Sequence, residues 1–432
     1  MSRRALLLVV ATTALAHANG RPPFTNGIYF QANDNQSIYV RTTFGLLISH
    51  DGGCSFRWTC EDSIGYGGTY DPEYAVAEDG SLYATTYTGL RVSRDGGCTY
   101  ATELSGRYIG SIALGSNGDV WAVTSDPAAP NDVLRSIDGG NTFGSAGLGS
   151  SSLLFNSIEV APTDPMTVYA TGYLQMGSGA HLYATTNAGS AWTDEPLANL
   201  IYGQGAVVTV PAIDPTNPMI VFLVSAGASP PGDLLYRSVD GGATFAQVLA
   251  TTQPIANVVA VDGTTVVVAS GTGGSYRSTD GGATFAAIAN APQLLCLGKR
   301  PDGSLVGCGA NWDPDFMAVA TSSDAATWTK MFRFAELDGV LDCPAGTVDH
   351  DDCDVEQWPT ISAQFGVSGP SCAGATDVPI DAGTSGAADN GGKSGCGGCA
   401  DSGGDAPIGF AVIAALTVLG AGGYRKRRQS RV

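Results

Sequence analysis

Basic residues are scarce in this chain: 21 Lys and Arg stand against 40 Asp and Glu, for a formal net charge of −19. Seven of the cations lie in two terminal segments that contain no acidic residue, so the rest of the chain has 14 basic and 40 acidic residues, about −26. Proteins bind the phosphate backbone of nucleic acids through clustered Lys and Arg, so the excess of acidic residues argues against a nucleic-acid partner. The acidity favours solubility and says nothing about the fold.

Histidine is rarer still, with four residues. His50, His181 and His350 lie far apart, and the sequence contains neither a His-Glu-x-x-His zinc motif nor a Gly-x-Ser-x-Gly nucleophile motif. The densest acidic run, residues 349–354, does not have the spacing of an EF-hand loop. We interpret it as a solvated loop closed by Cys343 and Cys353. The sequence therefore predicts no cofactor, no metal and no catalytic residue.

The first 18 residues are typical of a signal peptide: Arg3 and Arg4 precede an apolar run, which ends at the small-residue site Ala16-His17-Ala18. The alternative is an amphipathic first helix, which the lack of polar spacing disfavours. Between the two ends of the chain, no long helical pattern occurs.

Residues 406–424 contain no charge, and Arg425, Lys426, Arg427 and Arg428 follow directly. That length is sufficient for one membrane crossing, and the basic cluster places residues 425–432 in the cytoplasm and the bulk of the chain outside. The alternative, a buried core helix, does not need four consecutive cations at its end.

An eight-residue pattern, Ser-x-Asp-x-Gly-x-Thr-aromatic, occurs seven times. The third positions are 40 to 53 residues apart, a spacing typical of repeat architectures. These positions are Asp51, Asp95, Asp138, Asn187, Asp240, Asp280 and Asp324.

Each repeat contains short apolar segments separated by turn signals. In the second repeat, residues 74–77, 82–86 and 89–93 read as strands, and a fourth begins at Tyr100. Four short antiparallel strands, repeated seven times, predict an all-β, seven-bladed β-propeller. We assign residues 24–340 to the propeller, 341–372 to a Cys-containing segment and 373–405, rich in Gly, Ala, Ser and Asp, to a flexible linker.

Ten cysteines in a secreted chain indicate disulfides. Cys296 and Cys308 flank a predicted hairpin symmetrically and are expected to face each other. Three further cysteines lie early in the chain and three lie late. Because three is an odd number, at least one bridge must join the early group to the late group if all six are oxidised and Cys296 pairs with Cys308. A closed ring permits such a bridge. The two groups are Cys54, Cys60 and Cys98, and Cys343, Cys353 and Cys372.

The residues of the repeated pattern suit a structural role in a turn. A short carboxylate can accept hydrogen bonds from amides of its own turn, and Gly permits a positive φ. The pattern resembles the Asp-box, or BNR, repeat of sialidases and of many non-catalytic propellers. That resemblance implies that the seven Asp and Asn residues are scaffold, away from the ligand face. The fourth and seventh copies depart from the pattern, and their turns are expected to be looser.

Sialidases of this family carry an arginine in a Phe/Tyr-Arg-Ile-Pro motif, which this sequence lacks. Arg135, Arg237 and Arg277 each precede the Ser of a repeat and are interpreted as surface residues of the blades. The resemblance therefore covers the scaffold and not the catalytic site.

Cys396 and Cys399, the apolar segment and the basic end together resemble the MYXO-CTERM sorting tail of myxobacterial surface proteins. The resemblance implies that one of these cysteines is a processing or lipid-attachment position, recognised by sorting machinery along with Arg425–Arg428.

Together these observations predict a secreted propeller displayed at the cell surface, which binds a glycan or a protein without catalysis. Two alternatives are a glycoside hydrolase or lyase with carboxylates at the ring centre, and a structural component of the envelope. Hydrolysis requires two carboxyl groups about 5–10 Å apart among aromatic residues, whereas binding requires only the aromatic surface.

Overall fold

The computed structural model describes residues 21–174, 179–201, 207–229 and 231–370. The predicted signal peptide, linker, apolar segment and basic tail lie outside these residues, as do Cys396, Cys399 and Arg425–Arg428. Within the described ranges, no helix combines the length and the hydrophobicity that a membrane crossing needs.

The described chain is a seven-bladed β-propeller: 28 strands form seven four-stranded antiparallel sheets, each built from four consecutive strands. Blades 1 to 4 contain β1 Thr25–Phe30, β2 Ile38–Thr42, β3 Gly45–Ser49, β4 Arg57–Thr59; β5 Tyr74–Val76, β6 Leu82–Thr86, β7 Gly89–Ser93, β8 Ala101–Glu103; β9 Ile109–Leu114, β10 Val120–Thr124, β11 Val133–Ser136, β12 Gly144–Ser145; β13 Leu153–Ala161, β14 Asp164–Leu174, β15 Ala180–Thr185, β16 Thr193–Pro196. Blades 5 to 7 contain β17 Val208–Ile213, β18 Val221–Ser229, β19 Gly232–Ser238, β20 Ala246–Ala250; β21 Asn257–Ala260, β22 Val266–Ala269, β23 Ser275–Ser278, β24 Ala286–Ala287; β25 Cys296–Lys299, β26 Leu305–Cys308, β27 Val319–Ser322, β28 Thr329–Phe332.

The first strand of each blade is the innermost. These strands contact one another in the cyclic order β1, β5, β9, β13, β17, β21, β25 and back to β1, which closes the ring. Second strands such as β6 and β10 are buried at every position, because neighbouring blades cover both faces of each sheet.

Polar side chains of the inner strands connect neighbouring blades. The Ser157 hydroxyl accepts a hydrogen bond from the Val210 amide at 2.9 Å, and the Ser111 hydroxyl accepts one from Ile158 at 3.3 Å. Asn257 donates to the Leu297 carbonyl at 2.7 Å. These bonds satisfy backbone groups of the inner strands, which would otherwise lack partners at the ring centre.

The repeated pattern forms the turn between the third and the outer strand. In blade 3, Asp138 accepts hydrogen bonds from the Ser136 hydroxyl (2.6 Å), the Thr142 amide (2.9 Å) and the Thr142 hydroxyl (2.6 Å). The Ser136 oxygen accepts from the Gly140 amide at 2.8 Å, and Gly140 has a φ of 79°. Asp51, Asp95, Asp240 and Asp280 make the corresponding bonds.

The two divergent copies differ in distinct ways. Asn187 keeps short bonds to Thr185 (2.8 Å) and Ala191 (2.9 Å), but Ala191 has no hydroxyl to donate. Asp324 accepts longer bonds from the hydroxyls of Ser322 (3.1 Å) and Thr327 (3.2 Å), but short ones from the amides of Ala326 (2.9 Å) and Thr327 (2.7 Å). In the seventh turn only the hydroxyl bonds are therefore weaker.

Residues after the last strand return to blade 1. Trp58 of outer strand β4 donates its amide to Gly339 and accepts from Leu341, so this segment extends the sheet edge. Disulfides join Cys60 to Cys353 and Cys98 to Cys343, and a third joins Cys296 to Cys308 across β25 and β26. Two bridges thus connect the end of the propeller to blades 1 and 2.

The expected acidic loop closed by Cys343 and Cys353 is wrong, since each of these cysteines pairs with an early one. Residues Asp349–Gln357 form a π-helix that continues into α2, Trp358–Phe365, and Asp349 is fully buried. Burial raises the pKa of Asp349 to about 6. Trp358 and Phe365 pack against Trp58 and Phe44, which the polar sequence of the run did not indicate. The remaining short helices are α1, Glu61–Ile64, and 3-10 turns at Gly271–Gly273 and Phe334–Glu336.

Candidate functional site

The two ends of the ring have different residues. One end, the turn face, holds the turns between inner and second strands and those between third and outer strands. The other end, the loop face, holds the turns between second and third strands and the connections between blades. Because every blade has the same strand order, all seven Asp and Asn residues of the repeat lie on the turn face.

Three tyrosines meet on the loop face of blades 2 and 3; we call them the tyrosine cluster. The ring centroids of Tyr70 and Tyr87 lie 4.4 Å apart, and those of Tyr87 and Tyr108 lie 4.7 Å apart. Tyr87 is 57% exposed. Rings this close form a continuous aromatic surface with no gap between them, and such surfaces are typical of binding sites.

Tyr70 connects the cluster to the ring centre. Its hydroxyl bonds with the Thr85 hydroxyl at 2.7 Å, which fixes the ring. Burial raises the pKa of Tyr70, with a smaller contribution from the nearby carboxylate of Glu73. The Tyr108 pKa is also raised by burial, and Tyr173 of blade 4 lies close enough to contribute. The aromatic surface therefore reaches from blade 2 towards blade 4 beside a carboxyl group.

Two glutamates near the ring centre interact electrostatically. Burial raises the pKa of Glu73 to about 7, against the opposing effects of the Ser111 hydroxyl, the Arg41 charge and the Ile112 amide. Burial raises the pKa of Glu159, on inner strand β13, well above its ordinary range, and Glu73 raises it further. At neutral pH Glu73 is divided between both forms, and burial favours the protonated form of Glu159.

An ion-pair network borders the carboxyl groups at blades 1 and 2. Arg21 pairs with Asp71, which also accepts a 2.7 Å hydrogen bond from Asn26. Arg41 donates to the Asn26 side chain at 2.9 Å and to the Pro72 carbonyl at 3.2 Å. The network holds the connection from blade 1 to blade 2, which carries both Tyr70 and Glu73.

An open groove of about 520 Å³ lies between blades 3 and 4 on the turn face. Its lining is mostly small, and Arg135 is the charged member. Arg135 is committed to Asp119 at 2.6 Å. The groove thus offers little chemistry for a ligand.

Sequence reasoning did not identify the tyrosine cluster or the two glutamates. Tyr70, Tyr87 and Tyr108 lie in three separate connections, and each alone resembles an ordinary loop tyrosine. The available signal was their position: all three follow or precede a predicted strand at the end opposite the repeated turn. The raised pKa of the glutamates depends on burial in the closed ring, which composition does not reveal.

No protein-family model matches the chain, and no curated protein matches its sequence. Among solved structures, an ancestral GH74 enzyme has a TM-score of 0.52 at 17% identity, over 72% of this chain and 46% of that one. The GH74 enzyme of Niastella koreensis has a TM-score of 0.41 at 15% identity, over 71% and 65%. This chain therefore spans less than two thirds of either enzyme. YCF48 bound to D1 peptide has a TM-score of 0.46 at 13% identity, over 66% and 89%. At these identities the likeness establishes the propeller fold alone.

Proposed function

We propose that this chain is a carbohydrate-binding propeller and that its ligand lies on the tyrosine cluster of the loop face. The observation that carries the proposal is the contiguous aromatic surface of the tyrosine cluster, in which Tyr87 is 57% exposed. A sugar ring presents an apolar C–H face and hydroxyl edges. The tyrosine faces suit the former, and tyrosine hydroxyl groups can bond the latter.

A glycan array with the soluble chain tests the proposal. We expect binding to neutral oligosaccharides, and we expect Tyr87→Ala to weaken it at least about 10-fold, which corresponds to roughly 1.4 kcal/mol. The matched control is Ile137→Ala, an exposed apolar residue of the turn face that is 78% exposed. Binding that Tyr87→Ala leaves intact, or binding to proteins alone, would refute the carbohydrate proposal.

A second candidate is glycoside hydrolysis, which the interacting pair Glu73 and Glu159 favours. In this mechanism Glu159 protonates the glycosidic oxygen, and ionised Glu73 removes a proton from the attacking water. Against it, Glu73 is engaged with Ser111 and the Ile112 amide, which indicates a structural role. Product release from a bound glycan that is abolished by Glu159→Gln would favour hydrolysis over binding.

We also propose, from the sequence of residues 1–18 and 406–432, that the propeller is secreted and membrane-anchored at the cell surface, with its tail recognised by sorting machinery. Fractionation of cells expressing the full chain tests this proposal. Recovery of the chain in the cytoplasm would contradict it.

A further inference from the structure

A second aromatic surface lies on the loop face, in the turn between β26 and β27 of blade 7. Trp312 is 47% exposed and Phe316 is 49% exposed. The loop is well fixed: the Phe316 amide donates to the Trp312 carbonyl at 2.9 Å, and the Met317 amide donates to the Ala310 carbonyl at 2.8 Å. The Asp315 carboxylate accepts from the amides of Ala310 (3.0 Å) and Gln293 (2.9 Å).

The loop holds Phe316 in an unfavourable backbone conformation. Its φ of 53° lies in the left-handed region, which costs a bulky residue free energy. Burial of the ring would offset that cost, but half of the Phe316 surface faces solvent. Trp312 contacts the buried ring of Phe334 edge-on, with centroids 5.8 Å apart, and leaves its other side open. Two aromatic rings are therefore presented to solvent on a rigid loop.

Arg333 completes this surface. Its guanidinium carbon lies 5.4 Å from the centre of the Phe316 ring. Among the described residues it has no carboxylate partner, and its Nε is buried without a hydrogen bond. Arg21, Arg107 and Arg135, in contrast, each pair with an aspartate.

The neighbouring carboxylates are occupied or directed elsewhere. Glu336 binds Lys330 and the Arg333 amide, and Asp315 holds the loop amides. Asp313, in the same loop, is exposed and has no ion pair with Arg333. In a chain of net charge −19, a guanidinium that lies over the Phe316 ring without a carboxylate partner is available to a ligand.

We propose that Trp312, Phe316 and Arg333 form a second binding site, which takes a carboxylated sugar such as a uronic acid residue of a polysaccharide. Arg333 binds the carboxylate through paired N–H donors, and the open face of Trp312 packs against the sugar ring. A sugar fits better than an acidic peptide, because the site offers one charge beside two flat apolar surfaces. The site does not depend on the tyrosine cluster.

The test compares two ligands that differ only in charge: an oligogalacturonate and its methyl ester, titrated calorimetrically into the full chain. We expect the acid form to bind about 10-fold more tightly than the ester. Arg333→Gln is expected to remove this preference. Arg333→Lys, which keeps the charge but not the paired donors, is expected to retain part of it. Trp312→Ala is expected to weaken both ligands about 10-fold, and Ile137→Ala, on the turn face, to leave both unchanged.

Thermal melting of each variant provides the folding control; Trp312 and Tyr87 are exposed and Arg333 is half-buried. Equal affinity for acid and ester, no binding of either, or a preference that survives Arg333→Gln in the folded variant would overturn the proposal. Binding of an oligoglutamate as tightly as the oligogalacturonate would overturn it in favour of an acidic peptide ligand. Loss of both uronate ligands in Tyr87→Ala would instead place them on the tyrosine cluster and refute the second site.

Discussion

The turn face and the loop face use similar residues in opposite ways. On the turn face, carboxylates are enclosed by donors of their own turn. In the hairpins between inner and second strands, an aspartate likewise accepts a hydrogen bond from the backbone amide two residues later. Asp79 accepts from Ser81 (2.9 Å) and Asp262 from Thr264 (2.7 Å). On the loop face, Trp312, Phe316 and Tyr87 face solvent.

The pKa values follow this division. Hydrogen bonds from the turns lower the pKa of Asp138 and of Asp324 to about 2. Burial raises that of Glu73 to about 7. A carboxylate that its own turn stabilises has no capacity left for a ligand, whereas the pKa of Glu159 is raised by burial and by Glu73 with no opposing hydrogen bond. In this fold, the residues that repeat from blade to blade form the scaffold, and the candidate sites lie where the blades depart from the repeat.

Acidification should abolish the stabilisation that the aspartates of the turn face give to the fold, and this is the largest effect we expect. Hydrogen bonds hold the folded pKa below the unfolded value in four of these turns, so that stabilisation is fully present above about pH 4 and is lost as the pH falls to about 2 and below. The four residues are Asp138, Asp240, Asp280 and Asp324. We expect cooperative unfolding in that interval, followed by circular dichroism. A propeller that melts at the same temperature at pH 2 and pH 6 would contradict this assignment.

Removal of a single turn carboxylate should have a smaller effect on stability. Asp280→Ala deletes the acceptor for Ser278, Ala283 and Thr284, and we expect the melting temperature to fall by about 2 °C. Asp324→Ala should cost less, because the two hydroxyl bonds of that turn are longer. Calorimetry of both variants checks the order. Asp313→Ala, an exposed aspartate of the loop face, is the control and should melt like the unmodified chain.

Substitution on the loop face should separate binding from stability. Tyr87→Ala removes the exposed centre of the tyrosine cluster and should reduce glycan affinity about 10-fold, with little change in melting temperature. Asp280→Ala should lower the melting temperature and leave the glycan affinity unchanged. A turn variant that folds at 25 °C yet loses binding would break the division between the two faces.

The smallest expected effect concerns the buried acids. A carboxyl group whose folded pKa is raised favours the protonated native state, so its stabilisation declines as the pH rises from about 4.5 through its folded pKa. Glu159→Gln should therefore raise the melting temperature at pH 8 and change it little at pH 5. Equal shifts at both pH values would argue against a neutral Glu159.

Local sequence patterns account for most of the architecture. In blade 2, the predicted strands at 82–86 and 89–93 coincide with β6 and β7, because alternating apolar residues and Gly-containing turns act over short distances. The seven sheets follow from seven repeats. The predicted hairpin pair, Cys296 and Cys308, is directly opposed across β25 and β26.

Features that depend on ring closure were predicted only in part. The predicted bridge between the early and the late cysteines is confirmed, but the sequence did not indicate that Cys60 pairs with Cys353 and Cys98 with Cys343. The helix at 349–365 has a polar first half with no apolar periodicity. Its disulfide and the packing of Trp358 stabilise it instead. The tyrosine cluster likewise assembles from three connections that are adjacent only in the closed ring.

The most direct test of the functional division is hydrogen–deuterium exchange of the chain with and without its best-binding oligosaccharide. The account predicts that bound ligand slows exchange in the loop-face segments 66–74, 84–90 and 104–112, and leaves the turn segments 136–143 and 278–285 unchanged. Protection confined to the turn segments would contradict it.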